Sequence, residues 1–416
     1  MPNRRILFVT SGCYLDDSSG AAVATRAMME VLARSGFSAE ALTGVSLETR
    51  EETAPATWLH RRGLDFDFNG GGCIVSASGL VTNEPHHYRL NVRGVALTLS
   101  PGIPDRPFHP TGPVADEFQR LLQMTLDRFQ PDVVVNFGGD ELAQRVRSLA
   151  RVAGAVVVFA LHNFSYADAW PFTTADAVIV PSRFAADHYR ETVDLDCTVL
   201  PNLVDFGRIL ASSSDPRYVT FVNPSSEKGV FAFARIADDL GRKRPDIPFL
   251  VVEGRGSERT LANCGLDLRI HGNVSLMSHT PDPRQFWGVT RICVMPSLWW
   301  ENQPLVAVEA MANGIPVIGS NRGGLPETLG NAGLLLSLPD HLSAAGRTLP
   351  TSKDVAPWVE AIIRLWDDGE LYSEHRRRAV VESKRWLPEV IEPMYLSFFN
   401  EVRPRSVIPY GLTAST

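Results

Sequence analysis

The chain has 416 residues, 44% of them hydrophobic and 21% charged, enough apolar material for one very large domain or two of about 200 residues. A net charge of -7 on that composition excludes a mainly disordered state. With 40 Lys and Arg against 47 acids, there is no broad electropositive surface, and a nucleic-acid partner would need a local basic patch. The nearest is Arg376-Arg-Arg378, and the flanking Glu374 and Glu382 make it a solvated face. Cys13, Cys73, Cys197, Cys264 and Cys293 are scattered with no C-x-x-C spacing, so reduced thiols are expected rather than a disulfide scaffold or structural zinc. The adjacent His86 and His87 make no zinc motif.

The first half alternates strand-like and helix-like patterns. Arg5–Thr10 is an apolar run, too short for a signal peptide, and no apolar stretch reaches the length of a membrane span. A cytoplasmic location is therefore expected, with peripheral contact at the inner face of the membrane left open. The sequons at Asn163 and Asn273 then read as chance matches. Ala21–Arg34 places Ala24, Ala27, Met28, Val31 and Leu32 on one helical face closed by Gly36, and a strand follows at Ser38–Leu42. Strand, helix and strand at this spacing predict a right-handed βαβ unit in a parallel sheet. The stretch 45–109 reads as short strands and irregular loops. Beyond it, helices near 114–129 and after Glu141 alternate with strands at 131–137, 155–161 and 177–181.

The second half repeats the pattern. After a connection through Pro201–Asp205 and 212–217, strands are expected at 218–222, 249–253, 292–296 and 316–319, with helices at 230–240 and 305–312. Two successive βα arrays predict two Rossmann-like domains, at 1–200 and 201–384, rather than one very wide sheet. The segment 385–416 adds an apolar helix over Trp386–Phe399, kinked at Pro393, that packs back toward the first domain.

The chemistry concentrates in the segment running from Pro296 to Val317. A buried strand ends at Met295, a polar loop crosses its carboxyl end, and Pro304 suits the first turn of the following helix. The free amides of Leu305 and Val306, with the helix dipole, suit a phosphate or diphosphate. Glu309 sits one turn deeper in an otherwise apolar helix, where its carboxylate needs a partner such as ligand hydroxyls or an internal group. Glu301 lies in the preceding loop, so the two acids can meet different ends of an elongated ligand.

The block Pro296-Ser297, Glu301, Glu309-Ala-Met311, Asn313-Gly-x-Pro-Val317 and Gly323-Gly-Leu-Pro-Glu327 resembles the E-x7-E region of retaining glycosyltransferases of family 4. Pro201-Asn202-x-Val204-Asp205, Glu227-Lys228-Gly229, the strand ending at Gly254, Ser19-Gly20 and Leu161-His162-Asn163 extend the resemblance over nearly the whole chain. It implies an α/β fold of the GT-B type, two Rossmann-like parallel-sheet domains facing each other across a cleft. It implies, too, retaining transfer from a nucleoside-diphosphate sugar to a hydroxyl acceptor such as a glycan, glycolipid or natural-product intermediate, with no metal or other cofactor. The resemblance gives Glu309 the ribose hydroxyls, Glu301 the transferred sugar and Lys228 the diphosphate, completed by backbone amides at Leu305 and Val306. His162 would stand near the donor sugar, and front-face attack lets the leaving phosphate take the acceptor proton.

Two departures bear on this reading. The family's usual Gly-Arg is replaced by Asn223-Pro224, and Arg255, after Gly254, or Arg322 would have to supply the missing cation. Asn302-Gln303-Pro304 replaces the family's small residues and narrows the donor pocket. Ser19 is either a helix cap or, with Gly20, part of the diphosphate contact. Asp16 and Asp17 read as solvated loop acids in preference to acceptor contacts, and the loop 273–280 is the candidate for base recognition. Other readings of the same architecture are a carbohydrate phosphorylase, a nucleotide-sugar epimerase, or a non-catalytic nucleotide- or carbohydrate-binding scaffold. The absence of G-x-G-x-x-G after the first strand and of a G-x4-G-K-S/T loop excludes a dinucleotide dehydrogenase and a P-loop ATPase.

Overall fold

The computed structural model describes residues 4–47, 54–70, 73–75, 81–83, 85–102 and 110–405. The side chain of Cys73 and the tail beyond 405 lie outside the described residues. The first lobe is built on strands β1 (Arg5–Gly12), β2 (Ser38–Ser46), β3 (Asp67–Asn69), β4 (Cys73–Val75), β5 (Val81–Asn83), β6 (His87–Val92), β7 (Val95–Leu99), β8 (Val133–Asn136), β9 (Val156–Ala160), β10 (Ala177–Val180) and β11 (Thr198–Val199). Among the described residues they form a nine-stranded sheet in the order β11-β10-β9-β8-β1-β2-β7-β6-β3, with β4 and β5 paired apart. From β11 to β7 the pairing is parallel, and β6 and β3 add an antiparallel edge. The second lobe carries β12 (Tyr218–Val222), β13 (Phe249–Val252), β14 (Val274–Met277), β15 (Thr290–Met295), β16 (Val317–Ser320) and β17 (Leu334–Leu336). These form a wholly parallel sheet in the order β14-β13-β12-β15-β16-β17. Both arrays are thus doubly wound.

Burial follows from this topology. The central strands of each sheet are covered by helices on both faces, so they read as unbroken apolar runs. Ile6–Val9, Val133–Val135 and Val157–Phe159 are buried in the first lobe, as are Phe221, Phe249, Val251 and Ile292–Val294 in the second. The helix Val230–Lys243 seals the second core with Phe233, stacked on Phe221 at 4.5 Å between ring centroids.

Several elements differ from the sequence-based expectation. Besides short strands, the stretch 45–109 contains a helix, Pro55–Arg61, and three of its strands, β3, β6 and β7, join the main sheet. β7 lies inside the sheet and alternates buried and open residues, whereas the three-residue β3 at the rim is mostly exposed. The final helix runs Pro388–Glu401, with Trp386 in a preceding 3-10 turn, and Pro393 lies within it without ending it. That helix lies against the first lobe: Arg4 donates to the Phe399 carbonyl at 2.5 Å, Tyr395 donates to the Leu200 carbonyl, and Arg34 pairs with Glu392. No helix among the described residues is long and apolar enough to cross a membrane.

Gly229 is where backbone geometry most constrains the second lobe. Its φ is +82°, and a Cβ there would stand 1.9 Å from the Pro296 carbonyl oxygen. The loop after β12 and the loop after β15 therefore touch main chain to main chain, as the bonds from Leu298 and Trp299 N–H to the Glu227 carbonyl also show. Gly229→Ala is expected to destabilise the protein by at least about 1 kcal/mol, read as a lower thermal unfolding midpoint. An unchanged midpoint would show that the two loops are free to separate.

Candidate functional site

Helix starts and strand ends of both lobes converge on one cavity of about 610 Å³, large enough for a small-molecule ligand. Its second-lobe wall is the two loops joined at Gly229 together with the start of the helix Leu305–Ala312. Lys228 and Glu301 meet here. The Lys228 ammonium donates to both Glu301 carboxylate oxygens, at 2.6 and 2.8 Å, and the Ser297 hydroxyl donates to the first at 2.7 Å. The side chains of Lys228 and Glu301 keep 22% and 7% of their surface. Without ligand, then, these two residues neutralise each other rather than serving separate parts of a ligand, because a carboxylate this buried needs a charged partner.

Pro304 caps the helix instead of opening its first turn, and the helix begins at Leu305. Ala307 and Val308 N–H bond back to the Pro304 carbonyl. The Leu305 and Val306 amides precede any intrahelical acceptor and line the cavity. Glu309, a turn further on, accepts from the Trp287 indole N–H at 3.0 Å. Burial raises its pKa above the ordinary carboxylate value, and the Trp287 bond offsets this in part. Trp287 carries no sequence signal, being an apolar residue 22 positions away.

The loop after β12 holds the site's other main-chain irregularity. Asn223 has φ +62°, unusual for a residue with a side chain, and its Oδ1 accepts from the Gly256 N–H at 2.9 Å. It thereby fixes the Gly254–Gly256 turn. A Cβ on Gly254 would stand 3.1 Å from the Asn223 side chain. Asn223, Gly254 and Arg255 all line the cavity, whereas Arg322, which is not among its lining residues, donates to the Leu298 carbonyl.

On the first-lobe side, Gly20 opens the helix Gly20–Arg34 at the cavity edge, and Ser19 is a buried cap accepting from the Ala22 N–H. Ser19 is absent from the cavity lining, which corrects its assignment as a ligand contact. Asp16 and Asp17 are not solvated. Asp16 is buried and accepts from the Ser18 N–H and hydroxyl, while Asp17 bridges Arg26 at 2.6 Å and Arg62 at 2.8 Å. His162 follows β9 with its ring edge-on to Phe137 at 5.5 Å and its Nε2 3.5 Å from the Thr25 hydroxyl. Part of the ring stays open to the cleft, but the protein around it pushes its pKa down to about 4.

Asn302 and Gln303 face the other lobe, not the ligand space alone. The Asn302 amide is engaged by the Ser182 hydroxyl and the Leu161 carbonyl, and Gln303 Oε1 accepts from the Asn202 N–H at 2.5 Å. Each amide oxygen thus spends one bond on protein, while the buried Gln303 Nε2 has no hydrogen-bond partner and both residues line the cavity. Ser182 and Asn202 are the partners that the sequence did not assign to Asn302 and Gln303, and only Asn202 stands in a stretch that the sequence marks. In the loop 273–280, Asn273 is buried and donates to the Ile247 carbonyl, whereas His279 and Thr280 reach the cavity.

Elsewhere, His86 pairs with Glu117 and His87 Nδ1 lies 2.7 Å from the Pro85 carbonyl. Among the described residues no group of three or more His, Cys, Asp or Glu could hold a metal ion. Arg377 and Arg378 both pair with Glu374.

Comparison with known proteins agrees with this architecture. Residues 216–368 match the family model "Glycosyl transferases group 1", and residues 74–208 match "Glycosyltransferase Family 4". An uncharacterized glycosyltransferase of Haemophilus influenzae is 31% identical over 152 residues, 36% of this chain and 43% of that protein. The match thus spans less than half the length of that relative. Sucrose-phosphate synthase from Thermosynechococcus elongatus superposes with a TM-score of 0.65 at 15% identity, covering 95% of this chain and 98% of that one. The pneumococcal O-GlcNAc transferase GtfA, solved with UDP and GlcNAc, gives 0.65 at 12% identity, covering 97% and 99%. The chain has the two-domain GT-B fold, its parallel sheets facing a cleft. Each lobe is thus similar to a glycosyltransferase family model.

A pKa near 4 means that His162 is neutral at pH 7. Because the folded pKa lies below the unfolded value of about 6.5, the unfolded chain binds more protons between those values. This group's contribution therefore makes stability fall as pH drops through that window. Proton NMR of the imidazole should show a midpoint close to 4; a midpoint near the model-peptide value would contradict the burial reading.

Proposed function

We propose that the chain transfers a sugar from a nucleoside diphosphate to a hydroxyl acceptor, with retention of configuration and without a metal ion. The observation that carries this reading is Lys228 at the wall of the interlobe cavity, on the same surface as the free amides of Leu305 and Val306. A cation and a helix start facing one space are a site for an anion whose charge grows during reaction.

In this reading the diphosphate lies against the Leu305 and Val306 amides and takes over the Lys228 ammonium. Arg255 stands where a second cation is needed, since the loop after β12 brings Asn223 and not arginine to the site. Glu301, released from Lys228, accepts from hydroxyls of the transferred sugar. Glu309, poised by Trp287, accepts from the ribose. Gly20 allows the first lobe to approach the diphosphate closely. Asn302, Gln303 and Pro304 shape the donor side through the path they give the loop. The bond from the anomeric carbon to the leaving phosphate oxygen breaks as the acceptor oxygen bonds to the same face of that carbon. The acceptor proton passes to the departing phosphate oxygen. His162, uncharged and beside the sugar, supplies a hydrogen-bond partner and no proton. The acceptor class is a glycan, glycolipid or natural-product intermediate.

Support for the nucleotide class comes from the family matches and from GtfA, whose structure holds UDP. The test is a panel of UDP-, GDP-, ADP- and dTDP-sugars, scored for binding and nucleotide release in the presence of chelator. One donor class should bind and turn over under those conditions. Glu309→Ala should weaken donor binding by about 1–3 kcal/mol, the scale of a lost hydrogen bond to a charged group. Lys228→Ala should also lower turnover, by about a hundredfold or more. Donor affinity and transfer unchanged in both variants would refute the assignments.

A further inference from the structure

The residues that replace the family's small positions after Glu301 are engaged across the seam between the lobes. Asn302 is 9% exposed, and both ends of its amide are used by the first lobe. Its Oδ1 accepts from the Ser182 hydroxyl at 2.7 Å, and its Nδ2 donates to the Leu161 carbonyl at 3.4 Å. Ser182 is well placed for this because it caps the helix Arg183–Val193: its oxygen accepts from the Ala185 N–H, leaving its proton for Asn302.

A carboxylate grips the same helix start. Glu327 accepts from the Arg183 and Phe184 N–H groups, both at 3.0 Å. Those are donors that the helix itself leaves unpaired. Glu327 and Asn302 are presented together because their loops are in main-chain contact. Gly324 N–H donates to the Glu301 carbonyl at 2.6 Å, and a Cβ on Gly324 would stand 1.9 Å from the Asn302 oxygen. Alongside, Trp300 meets Phe164, Phe184 and His188 of the first lobe at 5.8, 5.9 and 5.0 Å between ring centroids.

Asn302 follows Glu301 and bonds to the residue before His162. The catalytic candidates of the two lobes are therefore separated by one side-chain amide and two steps of main chain. We infer that Asn302 is a positioning residue: with Ser182 and Glu327 as its anchors, it sets the spacing of Glu301 and Lys228 against His162, and it does not bind the donor itself. This rests on the proposed transfer reaction and adds to it a residue type that the family's small-residue loop cannot supply. A side chain that fixes spacing affects the reaction through geometry, where a displacement of about 1 Å is worth about a hundredfold in rate.

The experiment compares wild type with Asn302→Ala, Ser182→Ala, Asn302→Ala/Ser182→Ala and Glu327→Ala, each checked for folding by circular dichroism. Three quantities are read: calorimetric affinity for UDP, GDP, ADP and dTDP, turnover of the matching sugar donor, and the radius of gyration in solution scattering. Asn302→Ala should leave the preferred nucleotide's affinity within about threefold while turnover falls by about a hundredfold. The double variant should lose less than the sum of the two single losses, since the residues share one bond while each keeps another of its own. The radius of gyration should rise in Asn302→Ala and Glu327→Ala. Loss of nucleotide affinity in Asn302→Ala equal to that in Lys228→Ala, with an unchanged radius, would make Asn302 a donor ligand and overturn the inference. If wild type bound no nucleotide of the panel, the transfer reading would fail separately. Scattering would still decide the spacing role, and an unchanged radius in both variants would refute it.

Discussion

An ammonium and a carboxylate, drawn out of water by two touching loops, organise this site. Lys228 and Glu301 come from different βα connections, and neither could be held so far from solvent without the other. Their meeting depends on Gly229, which lets the loop after β12 lie directly on the Pro296 main chain. Ser297 adds a third hydrogen bond to the carboxylate. In the proposed reading an anion enters by taking over the Lys228 cation from Glu301.

The fold explains why the arrangement faces a cavity. Parallel sheets bring the carboxyl ends of their strands to one edge, and loops there end in helix starts with unpaired amides. Two such edges face one another here, linked by the 201–205 connection and braced by the helix Pro388–Glu401 against the first lobe. The lobes are unequal in role. The second contributes charge and unpaired amides, through Lys228, Arg255 and the Leu305–Val306 turn. The first contributes a glycine helix start, a neutral histidine and the charged side chains of Asp17, Arg26 and Glu30.

Much of this could be read from residue order. Apolar runs bounded by glycine mark the central strands of both sheets, because strands covered on both faces leave no alternation to misread. The segment around Glu301 and Glu309 marks the loop and helix that wall the cavity. What escaped the sequence depends on partners distant along the chain. Asn302 reads as a pocket residue until Ser182, 120 positions earlier, is seen beneath it. Glu309 shows an acid in an apolar helix but not the Trp287 indole that meets it. Asp17 reads as a loop acid because its partners Arg26 and Arg62 stand in one helix and at the end of another, the second 45 positions away. The stretch 45–109 reads as short strands and loops, but nothing local shows that β3, β6 and β7 extend the main sheet, because their pairing partners are distant or antiparallel.

The central claim is that the Lys228–Glu301 pair is a diphosphate site awaiting its occupant. A crystal structure with a bound nucleoside diphosphate measures this directly. The account predicts phosphate density between the Lys228 ammonium and the Leu305 and Val306 amides, with Glu301 no longer bonded to Lys228. Density elsewhere on the protein, with the ion pair intact, would contradict it.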